Sequence, residues 1–228
     1  MPDILELLDL LEPHGLILRG ILNEPEIVEV SAGEIGIHAR QLVLAGNAGS
    51  AIWRPLTESA EYGDELPDPL DRWTRRIGED IARKLGGQAI FPWQGPPYPP
   101  FLAWARKAEQ VFPSPVSMFI HRHYGLWHAY RFALALPEPM TGIEQAMDEE
   151  SPCIGCPQPC LEACPVDAFG SDGYRVDECV DYLRADEKSD CREQGCAARR
   201  ACPVGKAFTY NPEHARFHMD AFLNSRQL

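Results

Sequence analysis

Every cysteine of this 228-residue chain lies after residue 152, and that crowding constrains the fold more than any other feature. Cys153, Cys156, Cys160 and Cys164 form one dense run, closed by Pro165. Cys179, Cys191, Cys196 and Cys202 are spread more loosely, and Cys202 is followed by Pro203. The opening MPDILELLDLLEPHG is acidic and amphipathic, so it has neither the basic start nor the apolar run of a secretory leader. No stretch of about 18 apolar residues predicts a membrane span. The expected compartment is the reducing cytoplasm, where clustered thiols hold metal more often than they pair as disulfides.

Two sets of four thiols, each ending in Cys-Pro, suit two [4Fe–4S] clusters. Where two cubanes share a small fold, each takes three thiolates from one run and its fourth from the Cys-Pro of the other. The proline bends the chain away and brings no N–H. By that logic Cys153, Cys156 and Cys160 share a cluster with Cys202, and Cys164 joins Cys179, Cys191 and Cys196. The first run departs from the C-x2-C-x2-C-x3-C-P spacing. Pro157-Gln158-Pro159 adds a residue to the second gap, which must loop out or move Cys160. The gaps on either side of Cys196 are wider, and they leave the pairing of the second set open. Three competing readings stand beside this one. Zinc favours two separated Cys pairs in a structural module. A disulfide framework belongs to oxidising compartments. A single cluster would leave the second set as plain buried thiols.

The rest of the chain reads as a mixed α/β domain over 1–140, followed by an iron–sulfur domain over 141–228. Residues 1–150 hold 22 acidic and 12 basic side chains, and the net charge of the whole chain is −13. An acidic body repels phosphate backbones, so nucleic acid is not an expected partner. Ile4 to Leu11 predicts a short helix, and 16–22 and 41–46 predict strands. Leu70, Trp73, Ile77, Ile81 and Leu85 recur at helical spacing, with Pro69 at the start and Gly86-Gly87 at the stop. Residues 88–92 predict a strand, 92–100 a stiff proline-rich loop, and 101–111 a helix. VSMFI (116–120) predicts a buried strand. In 129–136, Tyr130, Phe132, Leu134 and Leu136 alternate onto one face.

HRHYGLWHAYRFALALPE (121–138) is the densest candidate outside the cysteines. A mixed domain, the Gly125-Leu126-Trp127 turn, a strand, the four-Cys run, CVDYL (179–183) and a last Cys-Pro follow in order. That order resembles epoxyqueuosine reductases, and the segment around Tyr124 to Arg131 also resembles the related cobalamin-processing chaperones. The resemblance implies an α+β chain: a nitroreductase-like mixed α/β N-terminal domain, then a small, mostly helical two-cluster ferredoxin-like domain. It implies a corrinoid or flavin site in the first domain, with Tyr124, Gly125, Trp127, Tyr130 and Arg131 as cofactor-binding residues. It further implies a redox protein partner, or a corrinoid or small-molecule substrate. Those reductases carry a catalytic Asp upstream of the turn and helical repeats that hold tRNA. Residues 97–119 contain no Asp, and no such repeats follow residue 202, so the tRNA-modifying activity is not expected and no catalytic residue is assigned. The reading that remains is an iron–sulfur protein passing single electrons to or from a cofactor or partner.

Overall fold

The computed structural model describes residues 3–31, 39–140, 150–170 and 172–226. In chain order the elements are α1 (Ile4–Leu11), β1 (Ile17–Asn23), α2 (Glu24–Ser31), β2 (Gln41–Ala48), α3 (Trp53–Thr57), α4 (Ala60–Gly63), α5 (Pro69–Lys84), β3 (Gln88–Ile90) and α6 (Phe101–Ala108). They continue with β4 (Val111–Pro113), β5 (Phe119–His121), β6 (His128–Leu136), α7 (Pro159–Glu162), β7 (Phe169–Gly170) and β8 (Gly173–Tyr174). The last four are α8 (Val176–Ala185), α9 (Asp190–Gln194), α10 (Ala197–Ala201) and α11 (Pro212–Asn224). The class is α+β with antiparallel strand pairs, as expected.

The chain forms two compact units, Met1–Gln110 with Ala129–Glu149, and Val111–His128 with Glu150–Leu228. A single boundary near residue 140 is therefore not what the chain adopts. Residues 111–128 belong with the cysteines, because Val116, Ile120 and Leu126 share one apolar core with Cys160, Ala198 and Cys202.

In the first unit a sheet runs in the order β1-β2-β6-β3. Leu42, Val43, Leu44, Phe132, Leu134 and Leu136 are buried in its two central strands. The whole run from Phe132 to Leu136 is buried, so this strand is covered on both faces and not on alternate residues as its pattern suggested. The α5 stripe is buried as its spacing predicts, with Trp73 and Ile77 each 1% exposed. Between Leu18 and Gly20 the register of β1 against β2 slips, leaving Arg19 as an extra residue. Such a bulge re-aims a side chain. Here it turns Arg19 inward, to a fully buried side chain bonded at both Nε and Nη2 to the Glu109 carboxylate (3.0 and 2.8 Å).

The second unit opens with the hairpin β4–β5, in which Val111 pairs with His121 and Pro113 with Phe119. The predicted strand at 116–120 is a correction. Ser114 N–H donates to Met118 O, Ser117 sits at φ +57°, and only Phe119 to His121 is extended. The prolines at 113 and 115 bracket a turn there, not a strand interior. Five short helices and the β7–β8 hairpin complete the unit.

Candidate iron–sulfur sites

Two cavities in the second unit divide the eight thiols between them. Cys153, Cys156, Cys160 and Cys202 line one, of about 20 Å³. Cys164, Cys179, Cys191 and Cys196 line the other, of about 240 Å³, whose wall also takes in Met219 and Phe222 of α11. Each cavity takes three thiols from one run and one from the other.

Local structure explains how each thiol gets there. Ser151 O accepts from Ile154 N–H and Cys153 O from Cys156 N–H, with Gly155 at φ +72°, which curls the first loop tightly. The extra residue of the second gap is absorbed at Gln158, which takes the left-handed conformation at φ +56°. That step costs a non-glycine residue some strain, and it lets Pro159 begin α7 with Cys160 in its first turn. Gln158 N–H also donates to Cys156 Sγ at 3.4 Å. Cys179 sits on α8, Cys191 on α9, and Cys196 and Cys202 cap the two ends of α10. Gly125, at φ +59°, lets the 121–128 turn approach the Cys202-Pro203-Val204 segment. A Cβ there would stand 2.1 Å from Val204 O.

Donors converge on the sulfurs. Ala168 N–H donates to Cys164 Sγ (3.3 Å) and Ala197 N–H to Cys191 Sγ (3.4 Å). The backbone at Ala198 and Arg199 pulls the Cys196 thiol down, as the Tyr174 hydroxyl does for Cys179, the backbone at Leu161 for Cys160 and the Ser151 side chain for Cys153, and Ser151 Oγ accepts from Cys153 N–H (3.3 Å). Burial pushes the Cys153, Cys160, Cys179, Cys191 and Cys196 thiols up from the ordinary thiol value, and neighbouring thiols add to the shift. Dry, mutually repelling thiolates need a bound cation to stay ionised. One further observation bears on the fit. Each wall holds a buried donor with no hydrogen-bond partner among the described residues, Ser114 Oγ in the first and Trp127 Nε1 in the second. Orphaned donors of this kind mark a missing acceptor. The donor set of each wall, four thiols and a spare donor, suits an anionic iron–sulfur cluster, and the first cavity would have to widen from about 20 Å³ to admit one. Among the described residues no three His, Cys, Asp or Glu side chains close on a point suited to one metal ion.

The expected cofactor-binding residues of the 124–131 segment are engaged inside their own units. Tyr124 stacks on His121 (4.4 Å between centroids) and meets Phe208 edge-on (5.0 Å). Trp127 is 1% exposed and packs on Tyr210. Gly125 serves the close approach to Val204. In the first unit the Tyr130 hydroxyl donates to Glu109 Oε2 (2.5 Å), and Arg131 Nε donates to Asn47 Oδ1 (2.9 Å). Arg19, Asn47, Glu109, Tyr130 and Arg131 thus make a buried polar network that the sequence did not signal, because Arg19 and Glu109 lie 90 residues apart. The histidines of the segment are tied down as well. His121 Nδ1 accepts from the N–H groups of His123 and Tyr124, and His128 Nε2–H donates to Phe119 O.

No protein-family model and no curated protein matches the chain. Among solved structures it is similar to epoxyqueuosine reductases, as its motif order implied. One, holding a modified tRNA stem loop, is 16% identical with TM-score 0.44 over 88% of this chain. Another, from Bacillus subtilis with its catalytic loop swung out, matches at the same values. A third, from Streptococcus thermophilus, is 15% identical with TM-score 0.47 over 94% of this chain. The chain spans 65% of the length of the first two and 70% of the third. At these identities and TM-scores the likeness decides nothing about chemistry. The expectation against nucleic acid gains no support, since one of these relatives holds tRNA. Among the described residues no helix is long and apolar enough to cross a membrane.

Proposed function

We propose that the chain is an iron–sulfur electron-transfer protein with two [4Fe–4S] clusters. Cys153, Cys156, Cys160 and Cys202 hold one, and Cys164, Cys179, Cys191 and Cys196 hold the other. The observation that carries this reading is the partition of eight thiols into two cavities, each taking its fourth member from the opposite run. When bound, such clusters supply one-electron oxidation and reduction. The protein's part is to fix four thiolates, exclude water, and aim N–H and O–H donors at the sulfurs, which tunes the potential. The electrons pass to or from a redox partner, or a corrinoid or flavin carried by the first unit. Tyr130 and Arg131, which also bond to Glu109 and Asn47, would be among the groups that meet such a cofactor.

Anaerobic purification followed by iron and acid-labile sulfide analysis tests the proposal. Eight of each per chain, with an EPR signal on reduction, is the expected result. Stoichiometric zinc without sulfide would sink it. Added cobalamin tests the corrinoid-dependent reductase reading: it requires a spectral change and a rise in melting temperature.

A further inference from the structure

We propose that Arg199 and the Tyr174 hydroxyl make the second thiol set the higher-potential of the two sites, so that a single electron entering the protein settles there. The inference rests on the two-cluster reading and adds an order to it. Reduction adds one negative charge to a site. Whichever wall stabilises that charge better draws the electron.

The two walls differ in that respect. Among the described residues the lining of the first holds no charged side chain: Pro152, Leu126, Pro203 and Val204 surround the thiols, and Gln158 N–H donates to Cys156 Sγ. The second includes a guanidinium. Arg199 lies in its wall, three residues after Cys196, and its charge acts on that thiol. Its side chain is held in place. The guanidinium carbon sits 4.3 Å from the Trp127 ring centre and 4.4 Å from that of Tyr210. Nε and Nη2 both donate to Leu126 O, at 2.9 and 2.6 Å. Among the described residues none of these partners is an anion, so the positive charge is not cancelled locally. Partial burial against the two aromatic rings weakens the screening by water.

Tyr174 adds a neutral contribution of the same sign. Its β8 position pairs it with Phe169, the rings stack at 4.8 Å, and the residue lines the same wall as Cys179, whose thiol its hydroxyl pulls down. Other charges near the second set include Asp186 and Asp190, which act on Tyr182 of its wall. Asp190 and Arg200 act oppositely on Cys191 and are paired with each other. His218 Nε2 lies 3.0 Å from His214 Nε2, a spacing that makes one ring donor and the other acceptor. The orphaned Ser114 and Trp127 donors, one per wall, do not distinguish the sites.

The transfer balances without bond making or proton movement. A low-potential one-electron carrier, or dithionite in the assay, gives one electron to the protein. A reduced first site returns to its oxidised level as the second is reduced. The test is an EPR-monitored redox titration of the anaerobic, fully loaded protein. Wild type should give two midpoints. R199Q and Y174F should each lower the upper midpoint by about 59 mV, a tenfold change in a one-electron equilibrium, and leave the lower one in place. R199K, which keeps the charge, should stay near wild type, and S151A should shift only the lower midpoint. Shifts of the lower midpoint in R199Q and Y174F, or no shift in either, would overturn the order. Y174F leaves the Arg199 stack intact, so it reports even if R199Q folds poorly. Absence of iron and sulfide in wild type would instead remove the two-cluster reading beneath it.

Discussion

Replacing Cys202 with serine should cost the protein one cluster and spare the other. In the structure Cys202 shares its cavity with Cys153, Cys156 and Cys160, although 38 residues separate it from Cys164, the last cysteine of the first run. Sequence proximity alone would instead place it with Cys191 and Cys196. The two arrangements make different arithmetic in double variants. If each cubane needs its four thiolates, C202S falls from about eight irons to about four. C153S/C202S should also keep about four, because both changes strike one site. C191S/C202S should fall to nearly none, because they strike both. The assay is iron and acid-labile sulfide per chain after anaerobic reconstitution, with far-UV circular dichroism to confirm that each variant is folded. A C153S/C202S protein stripped of all iron, beside a C191S/C202S protein that keeps four, would refute the crossed pairing.

Further outcomes follow from the packing. E109Q removes the charge opposite a fully buried Arg19 side chain and should cost about 3–5 kcal/mol, read as a fall of roughly 6–20 °C in melting temperature. A shift under 2 °C would show that the network is dispensable. G125A places a Cβ against Val204 O in a left-handed residue and should lose about 1–2 kcal/mol or more, with iron lost from the first site before the second. Equal retention in both sites would count against the role given to that approach. His14 is held below its ordinary value by burial and by the charges of Arg76 and Lys84. Its folded-state value lies under its unfolded one, so the unfolded chain binds the extra proton first as pH falls below about 6.5. Stability should therefore drop as pH falls through that region, and H14Q should drop less in urea titrations at matched pH. An identical pH profile for both proteins would exclude the effect.

The parts of this protein that chemistry dictates were readable from its sequence. Two runs of four cysteines, each closed by Cys-Pro, marked where the thiols would gather, and the structure divides them between two cavities. The α5 stripe was legible because Leu70, Trp73, Ile77 and Ile81 repeat at the helical period. What depends on contacts across the chain was not legible. The β4–β5 turn looked like strand because VSMFI is apolar, yet Val116 and Ile120 are buried as turn and strand members of one hairpin. Glu109 had no local signal, since its partner sits on a bulge in β1. The bonds of Tyr130 to Glu109 and of Arg131 to Asn47 had no local signal either. The extra residue at Gln158 was noticed, but only backbone geometry shows that a left-handed step absorbs it.

The interleaving of the two units bears on the order in which the protein is assembled. Synthesis runs from the N-terminus, and domains tend to fold as they emerge. The hairpin and turn of 111–128 are made before any cysteine exists, and the chain then returns to finish the central strand of the first unit. Val116, Ile120 and Leu126 must therefore wait, unpacked, until Cys160, Ala198 and Cys202 follow. The second thiol set is complete once residue 196 has been added, whereas the first cannot close before residue 202. The loop made first is thus the last to be filled, and a chain cut at residue 140 would begin with the apolar wall of its first site left behind.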